Sequence, residues 1–164
     1  MKVLFLDIDG VCNNSRTTAR FDGFIGLDPF MCLLVDRIIQ ATGCKVVLSS
    51  SWRHEPHSVA KIKSDVCELY GMTPVIGGLR GEEIKQWLDS YHYTVKLSVP
   101  TGAATIEYQP EVTRYAILDD NSDMLPEQMG NFFKTTWEVG LTEEIANKVI
   151  EYLNYEEKPS ESKV

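Results

Sequence analysis

The chain has 164 residues, of which 43% are hydrophobic, and this is enough apolar material for one domain with a packed core. Its formal net charge of −8 excludes tight, non-specific binding to nucleic acid, which needs many Lys and Arg side chains to displace counterions. Aspartate interrupts the N-terminal apolar run at residue 7, so we expect neither a signal peptide nor a membrane span. We expect a cytoplasmic protein with a single domain over residues 1–155.

The first half of the chain alternates apolar runs with segments of helical periodicity. Residues 2–6 predict a strand that is buried on both faces. Asp28 and Pro29 are typical of a helix start, and Gly43 is typical of its end. A second predicted strand and a second predicted helix follow at residues 45–52 and 54–70.

The second half begins with a predicted short strand at residues 73–76 and a predicted helix at residues 80–90. Residues 94–99 and 104–108 have the pattern of a β-hairpin that is inserted before the next core strand. The remaining predicted core elements are a strand that starts at residue 114, a strand at residues 134–139, and a helix at residues 141–153 with Thr142 as its cap.

Residues 156–164 are poor in apolar side chains and are predicted to be a disordered tail. The alternation of strands and helices before this tail predicts an α/β fold with a doubly wound parallel sheet. In such folds ligands bind at the carboxyl ends of the strands, so the residues found there are the first candidates for a site.

Acidic side chains follow two of the predicted strands. Asp7 and Asp9 are two residues apart and point the same way in an extended chain, and a turn is the alternative interpretation of this DIDG segment. Asp119, Asp120 and Asp123 follow the strand at residue 114, and the alternative role of capping a helix near Met124 suits Asp123 best. Carboxylates grouped this closely repel one another unless a cation joins them, and oxygen ligands favour Mg²⁺.

The SSSWR segment ends another predicted strand and opens a turn or helix. Ser49 or Ser50 there can bind a phosphate group together with the following backbone N–H groups, and Arg53 can add a bidentate contact. Serine is also a common helix cap, so this segment has an ordinary structural interpretation as well.

A cation is also needed to balance the charges of a nucleophile and a phosphate. Arg80, at the start of a predicted helix, is the better candidate, and Lys85 is the second. Either one can instead form a surface salt bridge with Glu82 or Glu83.

These segments together resemble the four ordered motifs of the haloacid dehalogenase (HAD) superfamily over residues 3–123. The motifs are a strand ending in DxDGV, a strand ending in serine, a basic residue that opens a later helix, and a strand ending in DD. The chain is most similar to the small HAD domains grouped with Swiss Army Knife RNA-repair proteins, and more distantly to the phosphatase half of polynucleotide kinase-phosphatases.

The resemblance implies an enzyme that hydrolyses phosphate monoesters through an aspartyl-phosphate. Asp7 would be the nucleophile and Asp9 the general acid and base, while Mg²⁺ would bind Asp7, the backbone carbonyl of Asp9, and the DD pair. Asp120 would be the direct ligand of that pair and Asp119 would support it. Ser49 or Ser50, with Arg80, would hold the transferred phosphoryl oxygens.

The chain departs from the superfamily pattern at two places. Val11 and Cys12 replace the usual Thr-Leu pair, and arginine replaces the motif-three lysine. No long helical cap is encoded between Asp9 and Ser49, so the site is expected to be open unless the predicted hairpin covers it.

The loop after Asp9 contains Arg16, Arg20 and Phe21, which can contact a nucleotide or can simply form a solvated loop. The expected partner is therefore a phosphorylated small molecule, a nucleotide, or a nucleic-acid end. Two other classes remain open: a HAD-like module that binds a metal or a protein without catalysis, and a phospho-accepting receiver domain. Receiver domains carry their acceptor on a later strand, whereas DxDG comes first here.

Overall fold

The computed structural model describes residues 1–92, 96–98, 105–107 and 111–156. The strands are β1 (Lys2–Leu6), β2 (Arg20–Phe21), β3 (Phe24–Ile25), β4 (Lys45–Leu48), β5 (Gly71–Met72), β6 (Lys96–Ser98), β7 (Thr105–Glu107), β8 (Arg114–Asp119) and β9 (Phe132–Lys134). The α-helices are α1 (Pro29–Thr42), α2 (Pro56–Asp65), α3 (Arg80–His92) and α4 (Glu143–Asn154), with 3₁₀ turns at Ser51–His54 and Pro126–Asn131.

Five strands form one parallel sheet in the order β5-β4-β1-β8-β9. Strand β1 lies in the centre, with β4 on one side and β8 on the other. The strand order reverses at β1, because the chain first builds outward to β4 and β5 and then crosses back to β8 and β9. The predicted doubly wound α/β fold is confirmed, and the reversal point is where such sheets bind ligands.

The sheet is buried on both faces because successive side chains of each strand point in opposite directions. Leu4 and Leu6 of β1 pack into the larger cluster, which contains buried residues of α1, α2 and α4. Val3 and Phe5 pack on the opposite face against α3, where the Phe5 ring meets the Trp87 ring edge-on at 5.4 Å between centroids. Helices therefore cover both faces of the sheet.

The predicted strand at residues 73–76 is misplaced, because the observed strand begins two residues earlier and ends before residue 73. The strand is β5, which pairs Gly71 with Val47 and Met72 with Leu48. The Thr73 N–H makes one further bond to the Leu48 carbonyl, but the next residue is Pro74, which has no N–H to continue the ladder.

The predicted strand at residues 134–139 is also misplaced, because β9 covers Phe132–Lys134. Its partner β8 ends at Asp119, which pairs with Lys134. Beyond Thr135 the chain has no neighbouring strand among the described residues, and it turns instead with a bond from the Gly140 N–H to the Thr136 carbonyl.

The segment at residues 45–70 is more interrupted than predicted. Strand β4 ends at Leu48, a 3₁₀ turn occupies Ser51–His54, and α2 covers only Pro56–Asp65. Proline at the first position of α2 sets the start of this helix. The predicted helix at residues 80–90 is confirmed as α3, and Thr142 caps α4 by accepting a hydrogen bond from the Ile145 N–H.

The predicted hairpin is confirmed in part, since β6 and β7 pair antiparallel, with Leu97 opposite Ile106. Its turn, and the predicted tail after residue 156, lie outside the described residues. All four cysteines are free thiols. Among the described helices, none has the length and apolar composition that crossing a membrane requires.

A short hairpin between β1 and α1 was missed by the sequence analysis. Strands β2 and β3 are joined by Asp22 and Gly23, which have φ angles of 48° and 82°. Two positive φ angles in a two-residue loop are typical of a type I′ turn, and Asp-Gly is its usual sequence. The pairing places Phe21 directly opposite Phe24.

The start of α1 offers a test of the fold. The Asp28 carboxylate accepts hydrogen bonds from the Phe30 N–H at 2.9 Å and from the Met31 N–H at 3.3 Å. We expect Asp28→Ala to lower the free energy of unfolding by about 1 kcal/mol in urea denaturation, because two N–H groups lose their acceptor. Asp36→Ala, at an exposed position of the same helix, is the control and should change it by less than about 0.5 kcal/mol. Equal effects of the two substitutions would contradict the capping role.

Candidate active site

The site lies where the three central strands end. Asp7 follows β1, Ser49 follows β4, and Asp119 is the last residue of β8. The Asp7 N–H binds the Leu118 carbonyl and the Ser49 N–H binds the Leu6 carbonyl, each at 3.0 Å. These bonds fix the three chain ends side by side, so their side chains meet above the middle of the sheet.

Three carboxylates converge there: oxygens of Asp7, Asp119 and Asp120 all lie within 4.8 Å of one another. Burial raises the pKa of Asp7 to about 6, against the opposing effects of the Arg80 charge and a hydrogen bond from Ser50. Burial and the charge of Asp7 raise the pKa of Asp119 to about 7, and burial also raises the pKa of Asp120. The cluster is therefore short of positive charge when all three groups are ionised.

Arg80 is the cation that the structure brings to this cluster. Its guanidinium lies 3.5 Å from Asp7 Oδ1 and 3.7 Å from Asp119 Oδ2, and it also donates to the Ser49 carbonyl. Lys85, the second candidate, instead pairs with Asp89 one helical turn away at 2.5 Å, and both side chains are more than half exposed. Of the two predicted cations, Arg80 is therefore the one that lies beside the acid cluster.

The two serines differ in their surroundings. Ser50 contributes a hydrogen bond that favours the charged form of Asp7, and its hydroxyl also accepts from the Trp52 N–H at 3.3 Å. Ser49 is fully buried, and its hydroxyl has no hydrogen-bond partner in the part of the chain that the structure describes. Ser50 is therefore the serine in contact with the acid cluster.

Arg53, predicted to contact a phosphate, has protein partners for its guanidinium in this structure. Its guanidinium donates to the carbonyls of Ser49, Ser50, Thr73 and Pro74 and to the Glu83 carboxylate at 2.6 Å. These contacts use all five of its N–H groups, and its side chain is only 5% exposed. Arg53 instead ties the serine segment to the loop after β5 and to α3.

Asp9 is held apart from the acid cluster by two neutral donors. Its Oδ1 accepts from the Asn13 amide at 2.9 Å, and its Oδ2 accepts from the Trp52 indole N–H at 3.0 Å. Asn13 is buried and also accepts from the Gly10 N–H. Asn13 and Trp52 were not among the predicted site residues, because neither is ionisable and only the fold brings Trp52 to Asp9.

The glycine of the DxDG motif is required by the close approach of Asp120. A Cβ atom at Gly10 would lie 2.3 Å from Asp120 Oδ2, and the residue has a φ angle of 77°. The Thr135 hydroxyl fixes the same turn by donating to the Gly10 carbonyl at 2.6 Å. Val11 and Cys12, which depart from the superfamily pattern, are both fully buried in the core.

Asp123 lies outside the acid cluster and serves as a cap, but not of a helix near Met124, as the sequence had suggested. The helix that it caps is α3: its Oδ2 accepts from the Arg80 N–H, and its carbonyl accepts from the Gly81 N–H, both at 3.1 Å. This contact fixes the first turn of α3 beside the end of β8, and so sets the position of Arg80.

The donor set fits a hard divalent cation such as Mg²⁺. All three groups of the cluster offer carboxylate oxygens, which magnesium prefers. Asp119 Oδ2 is buried and has no hydrogen-bond partner among the described residues, its nearest cationic group being Arg80. A site that binds a cation is expected to have raised carboxyl pKa values and an unpaired oxygen when the cation is not bound, and both features occur here. Asp7, Asp119 and Asp120 can therefore hold a metal ion.

An aromatic cavity of about 430 Å³ opens beside Asp9. The hairpin supplies Phe21 and Phe24, the 3₁₀ turn supplies Trp52, and the chain after β9 supplies Trp137. Phe21 stacks on Trp52 with ring centroids 5.7 Å apart and an interplanar angle of 16°. Of the loop residues singled out from the sequence, Phe21 thus reaches the site, while Arg16 is exposed and Arg20 binds the carbonyls of its own loop.

The family model of the HAD domain in Swiss Army Knife RNA repair proteins matches residues 3–146. This chain belongs to that family. The match covers every residue of the acid cluster, together with Asp9 and Arg80, and it confirms the resemblance drawn from the motifs. Membership places this HAD domain in a superfamily of phosphatase-type hydrolases. No curated protein and no solved structure matches the chain.

Mg²⁺ is expected to stabilise this HAD domain through the acid cluster. At about ten times its dissociation constant the ion should add about 1.4 kcal/mol, or roughly 3–6 °C in Tm by differential scanning calorimetry. Burial raises the pKa values of Asp7 and Asp119 from 3.8 to about 6 and about 7, so the metal-free fold loses stability as pH rises through this window. The shift caused by Mg²⁺ should therefore be larger at about pH 8 than at about pH 5.

The matched variants for that measurement are Asp120→Asn, which should abolish the shift, and Asp36→Asn on the surface of α1, which should retain it. An unchanged shift in Asp120→Asn would show that the ion binds elsewhere.

Gly10→Ala tests the close packing of the DxDG turn against Asp120. We expect this substitution to lower the free energy of unfolding and to weaken the Mg²⁺ shift, because the new Cβ displaces the Asp120 carboxylate. Gly43→Ala is the control, since Gly43 has a similar φ of 67° but no atom within 4 Å of an added Cβ. Both variants carry the strain of an alanine at a positive φ angle, which costs about 1–2 kcal/mol. The clash with Asp120 is therefore measured by how much more unfolding free energy Gly10→Ala loses than Gly43→Ala. If both variants keep the wild-type Mg²⁺ shift, Asp120 is not held by this contact.

Proposed function

We propose that this HAD domain is a magnesium-dependent phosphomonoesterase that transfers a phosphoryl group to Asp7. The observation that carries the proposal is the placement of Asp7, which is 4% exposed and lies between Arg80 and the other two carboxylates of the acid cluster. A carboxylate in that position is near a cation that can bind the phosphate, and near oxygens that can hold a metal ion.

In the first step an Asp7 oxygen attacks phosphorus, and the bond from phosphorus to the ester oxygen breaks. Asp9, in its acid form, gives its proton to that leaving oxygen, so the product leaves as an alcohol. Asn13 and Trp52 hold the Asp9 carboxyl at its two oxygens and so fix the direction from which the proton comes.

In the second step water attacks the phosphorus of the aspartyl-phosphate, and the bond to Asp7 breaks. Asp9, now a carboxylate, takes the proton from this water, which restores both aspartates and releases inorganic phosphate. Arg80 and the Ser50 hydroxyl are placed to hold the phosphoryl oxygens during both steps. Mg²⁺, when bound at the acid cluster, would offset the negative charge of the phosphoryl group and of Asp7.

The substrate would be a phosphorylated small molecule, a nucleotide, or the phosphorylated end of a nucleic acid. A cavity of small-molecule size lies beside Asp9, and the net charge of −8 opposes tight binding along a nucleic-acid backbone. Of these substrates, a small phosphate monoester carries the fewest negative charges besides the phosphate that is hydrolysed, so the acidic protein repels it least.

The proposal is tested by hydrolysis of phenyl phosphate with and without Mg²⁺. The wild-type chain should release phosphate only with the ion, Asp7→Asn should fall to the uncatalysed rate, and Asp9→Asn should lose roughly 10²- to 10⁴-fold in kcat. Activity of Asp7→Asn equal to wild type would remove Asp7 as nucleophile. A wild-type chain that hydrolyses neither aryl, sugar nor nucleotide monoesters would favour a non-catalytic module.

Arg80→Ala and Lys85→Ala form the matched pair for the cation. Arg80→Ala should lose most activity because it removes the guanidinium that faces Asp7, whereas Lys85→Ala removes only an exposed ion pair and should keep it. If Lys85→Ala loses activity and Arg80→Ala keeps it, Lys85 and not Arg80 has the role of the motif-three cation.

A further inference from the structure

The aromatic cavity beside Asp9 has no role in the phosphoryl transfer itself. It lies on the side of Asp9 that carries the Trp52 contact, and both residues line it. Under the proposed function Asp9 gives its proton to the leaving oxygen. The group attached to that oxygen must then occupy the space next to Asp9, so the cavity is where a leaving group would lie.

The lining of the cavity is suited to a flat apolar ring. Phe24 is 77% exposed and Trp137 is 36% exposed, and both line the same cavity as Phe21 and Trp52. Exposed rings grouped in this way form an apolar patch, and such patches mark ligand sites more often than scattered exposed side chains do. Phe24 stands opposite Phe21 in the hairpin, and Phe21 is itself packed on Trp52. The hairpin therefore presents a supported aromatic surface with one ring left open to a ligand.

The charges at the cavity argue against a second phosphate there. Its acidic residues besides Asp9 are Asp22 and Glu55, and the only basic side chain lining it is His57, which pairs with Asp22. The nearby Lys61 ammonium lies 5.8 Å from the centre of the Phe21 ring and is paired with Asp65 at 2.6 Å. No unpaired cation among the described residues lining the cavity is available to a further phosphate group.

We propose that this cavity binds the leaving group of the substrate and selects a planar, uncharged aromatic group, such as the base of a singly phosphorylated nucleoside. The inference rests on the proposed phosphatase function and adds the class of substrate to it. Phe24 and Trp137 are the residues that determine this specificity, through contact with the ring, and a volume of about 430 Å³ is within the range of small-molecule sites.

The kinetic test compares phenyl phosphate with glycerol phosphate, which lacks a ring. In Phe24→Ala the ratio of kcat/KM for phenyl phosphate over glycerol phosphate should fall on the order of 10-fold, as expected for the loss of one stacking contact. Phe30→Ala is the matched control, because Phe30 is also a 54% exposed phenylalanine but does not line the cavity, and it should leave the ratio unchanged. An equal ratio in wild type and Phe24→Ala would overturn the inference.

A binding test separates this inference from the proposed function. Adenosine, which carries no phosphate, should quench the fluorescence of Trp52 and Trp137 in a saturable way, ribose should not, and Phe24→Ala should weaken the effect. If adenosine binds but no monoester is hydrolysed, the proposed phosphatase function is wrong and the proposal that the cavity binds an aromatic group stands. Hydrolysis without quenching by adenosine would overturn the ligand class alone.

The third comparison sets adenosine 3′-monophosphate against a 3′-phosphorylated oligonucleotide. The mononucleotide should have the higher kcat/KM, because the acidic cavity repels additional phosphates. A preference of about 10-fold or more for the oligonucleotide would overturn the choice of a small substrate.

Discussion

Mutual repulsion among three carboxylates, two of them buried and one partly buried, is the constraint on which the rest of the site depends. Asp7, Asp119 and Asp120 are brought together by strand ends that the hydrogen bonds of the sheet fix in place, so they cannot move apart. Arg80 offsets part of this charge, while burial, together with the charges of the neighbouring carboxylates, still raises the pKa values of Asp7 and Asp119. A phosphate group would bring more negative charge, and this is the physical reason for the divalent cation in the proposed function.

The parts around the acid cluster hold their positions through contacts that have little to do with the reaction. Asp123 binds the first turn of α3 and so aims Arg80, while the buried Arg53–Glu83 pair joins the serine segment to the same helix. Removing one member of a buried ion pair leaves an uncompensated charge, which costs about 3–5 kcal/mol. The groups proposed to be catalytic thus have hydrogen-bonded and ion-paired neighbours, which is the support that a site needs to keep its geometry.

Sequence periodicity and motif order were enough to predict the parallel sheet and the acids at its carboxyl edge. They succeeded because β1, β4 and β8 are continuous apolar runs that end in polar residues, and a parallel sheet brings such ends together. The predictions of the edge strands β5 and β9 were misplaced, because these strands are only two or three residues long. Their limits depend on which backbone N–H and C=O groups of the neighbouring strand are free to pair.

The contacts that the sequence did not reveal within the site have a different origin. Arg53 was predicted to bind phosphate from its position in the SSSWR segment, and the structure pairs its N–H donors with carbonyl groups that come partly from the distant loop at Thr73 and Pro74. Trp52 was overlooked because the partner of its indole, Asp9, is 43 residues away. The hairpin at Asp22 and Gly23 was the one local signal that could have been used, since Asp-Gly between apolar residues indicates a tight turn. The aromatic cavity beside Asp9 depends on that hairpin, which supplies Phe21 and Phe24.

The central claim is that Asp7 carries the phosphoryl group, and trapping that group tests it most directly. A reaction with phenyl phosphate and Mg²⁺ is quenched in acid and reduced with borohydride, which converts an aspartyl-phosphate to homoserine, and the digested chain is analysed by mass spectrometry. The account predicts homoserine at position 7 in the wild-type chain and none without substrate. Turnover that leaves position 7 as aspartate, or a modified residue at another position, would contradict it.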